Sequence, residues 1–418
     1  MKVLMFGWEF PPFSSGGLGT ACYDLVKGLN DEQVKVTFVA PCLPKGAKAS
    51  FVKLVGANNV SVKGMSNIKL RQLKSLLQPY MTAEDYNYEI NNVMVPNTNR
   101  KAPKEVYGKN LFAEVQRYAN AAKFIAMQED FDVIHTHDWM TYKAGVIARH
   151  LTGKPLVAHI HATEFDRTGG NPNPEIAHME FEGLSAADIV IANSNFTKQN
   201  VINAYNINPN KIRVVHWGID PDKEYYNLGK LKTFEPDEKV VLFLGRITMQ
   251  KGPEMFVEVA NEVLNHIPKA RFVVAGTGDK LPYMMNRVSE LGIADKFFFT
   301  GFLRGADVHK AFQMADLYVM PSVSEPFGLV ALEALKNQAP ILISNQSGAS
   351  EVLEHALKVD FWDYNEMVNK IVNVLEHDSL RLELKTNGHK EAEKFNLSEP
   401  ARKTLAIDEQ ALRGEYHS

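Results

Sequence analysis

Cysteine is scarce: Cys22 and Cys42 are the only two in 418 residues. No paired spacing points to a disulfide framework or a zinc site, so both are expected to be reduced residues in or beside the core. No apolar run approaches the roughly 20 residues of a membrane span. The stretch Met1–Gly7 is too short, and too soon interrupted by Glu9, for a signal peptide. A cytoplasmic location is the expectation. Excess positive charge is also missing: a net charge of -3 argues against a nucleic-acid-binding face. Neither a G-x-G-x-x-G fingerprint nor a Gly-Lys-Ser/Thr P-loop follows the first strand.

What remains is a chain with 45% hydrophobic residues, long enough for two sizeable cores. Apolar runs bounded by turn residues alternate with helix-forming stretches in both halves. That pattern predicts an α/β protein of two doubly wound, Rossmann-like domains facing across a cleft.

The stretch Pro321–Glu333 reads as the turn after a buried strand, leading into a helix. Such a turn leaves the amides of Gly328, Leu329 and Val330 at the positive end of a helix, where an anion is welcome. The carboxylates of Glu325 and Glu333 flank it and suit sugar hydroxyls better than phosphate. Earlier, Gly245–Pro253 places Arg246 and Lys251 in the loop between a strand and a helix. Two cations there would neutralise a diphosphate. A glycine-rich loop, Trp8–Gly19, joins the first strand to its helix and would approach a phosphate with backbone amides.

Asp138 and Trp139 follow the strand Asp132–Thr136, where a ring beside a carboxylate suits a carbohydrate. His135 and His137, and again His159 and His161, form two His-x-His pairs on strands, a spacing that also fits a metal. Metal-independent chemistry is the preferred reading. From Lys45 to Lys74 seven Lys or Arg occur without an acid, and Leu70, Leu73 and Leu77 share a helical face. That segment docks weakly on an anionic membrane, faces an anionic acceptor, or packs on its own domain.

Pro321–Glu333 resembles the Glu-x7-Glu motif of retaining GT-B glycosyltransferases of the family 4 and 5 type, which includes glycogen and starch synthases. Gly245-Arg246-x4-Lys251-Gly252, His137-Asp138-Trp139 and Gly16-Gly17-Leu18 extend the resemblance over most of the chain. It implies that Glu325 contacts the donor sugar and Glu333 the ribose. It further implies that Gly17 touches the diphosphate, His161 hydrogen-bonds the sugar, and Phe302 and Leu303 lie nearest the base. Two departures stand out. Ser14-Ser15 replaces the Lys-Thr of many bacterial glycogen synthases, and His216-Trp217 departs from the family's Asn-Gly-Val/Ile-Asp sequence, of which Gly218-Ile219-Asp220 remain.

By the resemblance, residues 1–217 form the acceptor-side domain, with a helix at about 395–418 crossing back, and 218–394 form the donor domain. Asp220-Pro221-Asp222 has a metal-binding spacing but falls in a charged linker and is read as coincidence. The expected activity is retaining transfer of a hexose, glucose first, from ADP-glucose or UDP-glucose to an α-glucan, with no cofactor. The alternatives are a glycosyltransferase of lipid-linked or surface polysaccharide synthesis, a His-x-His metallohydrolase, and a non-catalytic carbohydrate-binding protein.

Overall fold

The computed structural model describes residues 1–12, 17–44, 46–59, 111–220, 234–235 and 237–416. They form two wholly parallel sheets. The first holds β1 (Lys2–Phe6), β2 (Lys35–Ala40), β3 (Lys53–Gly56), β4 (Val133–His137), β5 (Leu156–Ile160), β6 (Ile189–Ala192) and β7 (Ile212–Val214). Their order is β3-β2-β1-β4-β5-β6-β7. The second holds β8 (Lys239–Leu244), β9 (Ala270–Ala275), β10 (Phe297–Gly301), β11 (Leu317–Met320), β12 (Ile341–Ser344) and β13 (Leu357–Val359). These run β10-β9-β8-β11-β12-β13.

Strands such as Leu156–Ile160 and Ile341–Ser344 are short and buried at every position. That is the pattern of parallel strands covered by helices on both faces. In each sheet the strand order reverses once, between β1 and β4 and between β8 and β11. Open α/β sheets bind ligands beyond the carboxyl ends of the strands at that reversal. The loops after these four strands carry Gly17, Asp138, Lys251 and Glu325.

The chain crosses between the sheets twice, and the two passages touch. Ile219 N donates to Phe395 O at 3.0 Å. A Cβ on Gly218 would lie 1.9 Å from Asn396 O, so only glycine lets the outgoing and returning backbones pass. The helix Ser398–Arg413 then packs on the helix Gly17–Asp31 and on β4 and β5. One apolar cluster includes residues of both sheets, with Trp217, Ile219 and Ala401 among them.

Cys22 is buried as expected, whereas Cys42 is only half-buried, at the start of the loop after β2. Asp220 of the Asp-x-Asp spacing is paired with Lys27 at 2.7 Å; Pro221 and Asp222 lie outside the described residues. So do Ser14, Ser15 and Gly16, and most of the basic segment: Lys45 and everything from 60 to 74, with the Leu70–Leu77 face. Among the described residues no helix is long and apolar enough to cross a membrane.

Candidate functional site

The second sheet contributes a charged edge. Val323 N donates to Gln250 O at 2.9 Å, which ties the loop after β11 to the loop after β8. The tie brings Lys251 and Glu325 into an ion pair, and Ser322 Oγ donates to the same Glu325 oxygen at 3.2 Å. Glu325 is buried, while Lys251 and Arg246 are half-buried. Glu325 N donates to Gln346 O, and Gly348 N to Glu325 O, both at 2.9 Å, so the turn is also zipped to the loop after β12.

Gly328 then opens the helix Leu329–Lys336 at φ 106, with no side-chain cap. A Cβ there would be strained and 3.1 Å from Met320 Cε. The helix start therefore presents the amides of Leu329 and Val330 without a capping side chain. Glu333 is half-buried on the same helix. Phe302 and Leu303 lie after β10, two strands away from the reversal. Phe302 is 56% exposed, with the Arg304 guanidinium 5.2 Å from its ring centre.

The first sheet contributes an edge whose polar groups are sealed. Gly17 is the exposed first residue of its helix, and nothing lies within 4 Å of where its Cβ would be. The tight position is Gly19, where a Cβ would sit 3.0 Å from the carboxylate of buried Glu9. Asp138 has the left-handed φ of 63, uncommon for a residue with a side chain. Its Oδ1 accepts from His161 N at 2.7 Å, and its buried Oδ2 has no partner. Burial outweighs nearby Arg167 and pushes the Asp138 carboxyl up to about 7.

Trp139 corrects the sequence expectation. It is 1% exposed and packs at 6.1 Å on Phe112 of the helix Leu111–Gln128. A ring sealed in the core has no free face for a sugar. The aromatic against the site is Trp217, stacked on His161 at 5.1 Å and 16°. It is one of the two residues that depart from the family pattern. Asn193 Nδ2 donates to His161 O at 2.9 Å, and burial holds the His161 imidazole down at about 3, hence neutral.

Behind His161 the run Glu164–Arg167 builds a closed ionic knot. Arg167 pairs with Glu164 at 2.9 Å and with Glu180, and donates to Ala162 O at 2.9 Å. Glu180 also accepts from Glu164 N at 2.9 Å and from Tyr205 OH. Burial works against the charge on Arg167, but Glu180 and Glu164 overcome it and raise its pKa.

The two edges meet directly. Ser324 Oγ donates to Asp166 Oδ1 and Ser194 Oγ to Pro326 O, both at 2.6 Å. Glu351 accepts from Asn195 N at 2.9 Å, Phe196 N at 2.6 Å and His216 Nε2 at 3.1 Å. The residues on both sides of Glu325 are thus fixed to the segment that follows His161 and to the loop after β6, whose Asn193 holds the His161 carbonyl. Asp166, Ser194, Glu351 and Trp217 were not legible as site neighbours. Only Ser194-x-x-Thr197, a helix-cap spacing, marked one of them.

Beneath His161 lie the other three histidines of the two His-x-His pairs, all buried. His137 Nδ1 is 3.0 Å from His161 Nε2, and His159 Nε2 is 3.3 Å from His135 Nδ1. His135 Nε2 reaches Asp408 Oδ1 of the C-terminal helix at 2.5 Å. Ligand atoms of His135, His137 and His159, and likewise of Cys22, His137 and His161, lie within 4.8 Å of one another. Yet the rings of His137 and His159 are stacked at 4.3 Å and 23°. Stacked imidazoles hold their in-plane lone pairs side by side, not converging on one ion. Cys22 is a poor thiolate ligand, because burial, and then Asp138 and Glu9, push its pKa up.

Comparison with known proteins adds the following. The model of the Glycosyltransferase Family 4 matches residues 15–223, and that of Glycosyl transferases group 1 matches residues 230–391. An uncharacterized glycosyltransferase of Methanocaldococcus jannaschii is 29% identical over 97% of each chain. A D-inositol 3-phosphate glycosyltransferase of Nocardioides sp. is 28% identical over 66% of this chain and 67% of its own. Among solved structures, sucrose-phosphate synthase from Thermosynechococcus elongatus superposes with a TM-score of 0.74 at 19% identity, covering 99% of both chains. Anabaena HepE in complex with UDP and glucose gives 0.65 at 17%, covering 97% of this chain and 99% of its own. These two structural likenesses bear on the fold.

Proposed function

The chain belongs to the GT-B glycosyltransferases of the family 4/5 type, and from that premise we propose that it transfers a hexose, glucose first, from a nucleoside diphosphate sugar with retention of configuration. The observation that carries this reading is the meeting of the two reversal points. It sets Lys251, Glu325 and an uncapped helix start on one side and His161 and Asp138 on the other.

In this reading the diphosphate takes the place between Arg246, Lys251 and the amides of Leu329 and Val330. Lys251 is paired with Glu325. Binding exchanges that carboxylate for phosphate and releases Glu325 to accept from sugar hydroxyls. Charge growing on the departing diphosphate strengthens the contacts of Lys251 and Arg246, which is how they lower the barrier. Gly17 and the loop around it meet the diphosphate, Glu333 the ribose, and Phe302 and Leu303 the base. No nucleophilic carboxylate is assigned: Glu325, once released, is engaged by the sugar hydroxyls. The leaving phosphate takes the acceptor's proton as the new bond forms on the same face.

No metal is assigned a role. The stacked histidines of the first sheet argue against the metallohydrolase reading, and two charged loops at the second reversal point argue against a mere carbohydrate-binding protein.

The acceptor is read as an α-glucan from the His-Asp-Trp run, although sealed Trp139 removes its aromatic contribution. A second reading, a small phosphorylated polyol, is favoured by the similarity to D-inositol 3-phosphate glycosyltransferases. The basic segment leaves a lipid-linked acceptor as a third arm of the same assay.

The test is release of UDP or ADP from the glucose donors, in EDTA, with glycogen, inositol phosphate or lipid extract as acceptor. One acceptor should stimulate release, and EDTA should not reduce it. Lys251→Ala and Glu325→Ala should each lower kcat/KM by about 10²–10³-fold, the usual scale for removing a charge-stabilising group. No release from a panel of sugar nucleotides, or release indifferent to both substitutions, would overturn the reading.

A further inference from the structure

We propose that His137 is a positioning residue that holds His161 in its Nδ1–H tautomer, so that the sugar met there must offer an acceptor oxygen to an N–H donor. The inference rests on the reading above only in placing a sugar at His161. The tautomer itself follows from hydrogen bonds.

Both rings are neutral, because burial and, for His137, neighbouring His161 and His135 depress their pKa values. A neutral imidazole carries one N–H and one lone pair. His137 Nδ1 and His161 Nε2 are 3.0 Å apart, so one donates and the other accepts. The direction is decided at the far nitrogen. His137 Nε2 is buried with no partner.

If His161 donated, His137 would carry its proton on that orphan nitrogen and bury an unpaired N–H. Unpaired buried donors are rarer and costlier than unpaired acceptors. Hence His137 Nδ1–H donates, His161 Nε2 accepts, and the proton of His161 stands on Nδ1. That leaves Nδ1 as the nitrogen available to a ligand, and it is a donor.

Three contacts hold the pair in this orientation. Asn193 fixes the His161 carbonyl, Trp217 covers the His161 ring, and His159 stacks under His137. His159 is itself braced. His159 Nδ1 is buried with no partner, so by the same rule His159 Nε2–H donates to His135 Nδ1, which leaves His135 Nε2–H to donate to Asp408 Oδ1. The remaining lone pair, on His159 Nδ1, belongs to a residue lining a small cavity with room for about one water, beside Thr404. The C-terminal helix therefore braces the floor beneath the sugar wall, though no continuous proton path joins Asp408 to His161.

The experiment uses the full chain with ring-15N histidine, the His161 signals being identified by their loss in His161→Gln. Long-range 1H–15N spectra of the wild type should show Nδ1 protonated and Nε2 unprotonated. A dominant Nε2–H form, or an even mixture, overturns the proposal. The second readout is kcat/KM for the donor. His137→Phe removes the donor and should cost about tenfold, the scale of one lost hydrogen bond. His137→Asn should restore activity to within about threefold, since its amide nitrogen stands where Nδ1 stood and donates. An unaltered His161 tautomer in His137→Phe, with equal losses in both variants, overturns it. If His137→Phe fails to fold, the wild-type spectrum and His137→Asn decide. If the wild type turns over no sugar nucleotide, the enzymatic reading fails while the spectrum still decides the tautomer.

Discussion

The two sheet edges that face each other across the cleft are built on opposite electrostatic plans. The first seals its polar groups: Asp138, His161, Glu164, Arg167 and Glu180 are all buried. The second leaves Arg246 and Lys251 half-buried, with Lys251 held by one carboxylate. A sealed edge keeps fixed hydrogen-bond directions and has few partners to exchange. A half-open edge can trade one anion for another. Sugar hydroxyls need direction and a diphosphate needs exchangeable charge, so the contrast matches the division of labour proposed for the site.

The contrast breaks first at Arg167. Removing it leaves Glu164 and Glu180 buried around a missing cation, a change that costs about 3–5 kcal/mol in such pairs. Arg167→Met should therefore shift urea unfolding by that amount, and adding Glu180→Gln should recover part of it. The same treatment of half-buried Arg246 should cost less in unfolding and fall mainly on activity. A cost below about 1 kcal/mol for Arg167→Met would mean the knot is not what stiffens the first edge.

Asp138 sharpens the comparison through pH. Its carboxyl titrates at about 7 in the folded protein, above the ordinary carboxylate value of 3.8. Between those values the folded state binds the proton that the unfolded state has lost, so stability falls as pH rises. The contribution is fully present below the unfolded pKa and is lost as pH climbs to about 7. At about 1.4 kcal/mol per pH unit the span amounts to roughly 4 kcal/mol. Asp138→Asn keeps an acceptor for His161 N and cannot ionise. The difference in stability between variant and wild type should therefore grow from pH 4 to pH 8 and then level off. A flat difference would show that Asp138 ionises freely, and that the first edge is wetter than its burial implies.

How much of this was legible follows the same divide. The strands announced themselves, because β5, β6, β8 and β11 are apolar runs with turn residues after them. The loops after β4, β8 and β11 carried recognisable residues for the same reason, since a reversal point concentrates polar side chains at strand ends. Contacts between distant segments were not legible. Asp408 meets His135 across 273 positions and Glu351 meets Asn195 across 156, and no local pattern marks such pairs. Trp139 misled because Asp138 at φ 63 turns the chain there, sending adjacent side chains to different layers. Trp217 was read as a departure from a motif, when its ring had taken up the wall beside His161.

The smallest expected effect lies where the two edges join. Glu351 belongs to the second half, yet it supplements the Ser194 cap of the helix Asn195–Tyr205 in the first, accepting from two amides and from His216. Burial opposes its charge, but His216 and the amides of Asn195 and Phe196 win and hold its pKa below the usual glutamate value. Its contribution to stability is present at neutral pH and is lost as pH falls through that lowered value. Glu351→Ala should cost about 1 kcal/mol, the scale of a lost helix cap. Because Ser194 and Thr197 of the same helix hold Pro326 beside Glu325, the variant should also raise KM for the donor more than it lowers kcat. Glu351→Gln, which can still accept, should lie between. Were kcat to collapse instead, the joint would be doing more than setting the approach of the two edges, and the half-open edge would depend on the sealed one for its chemistry.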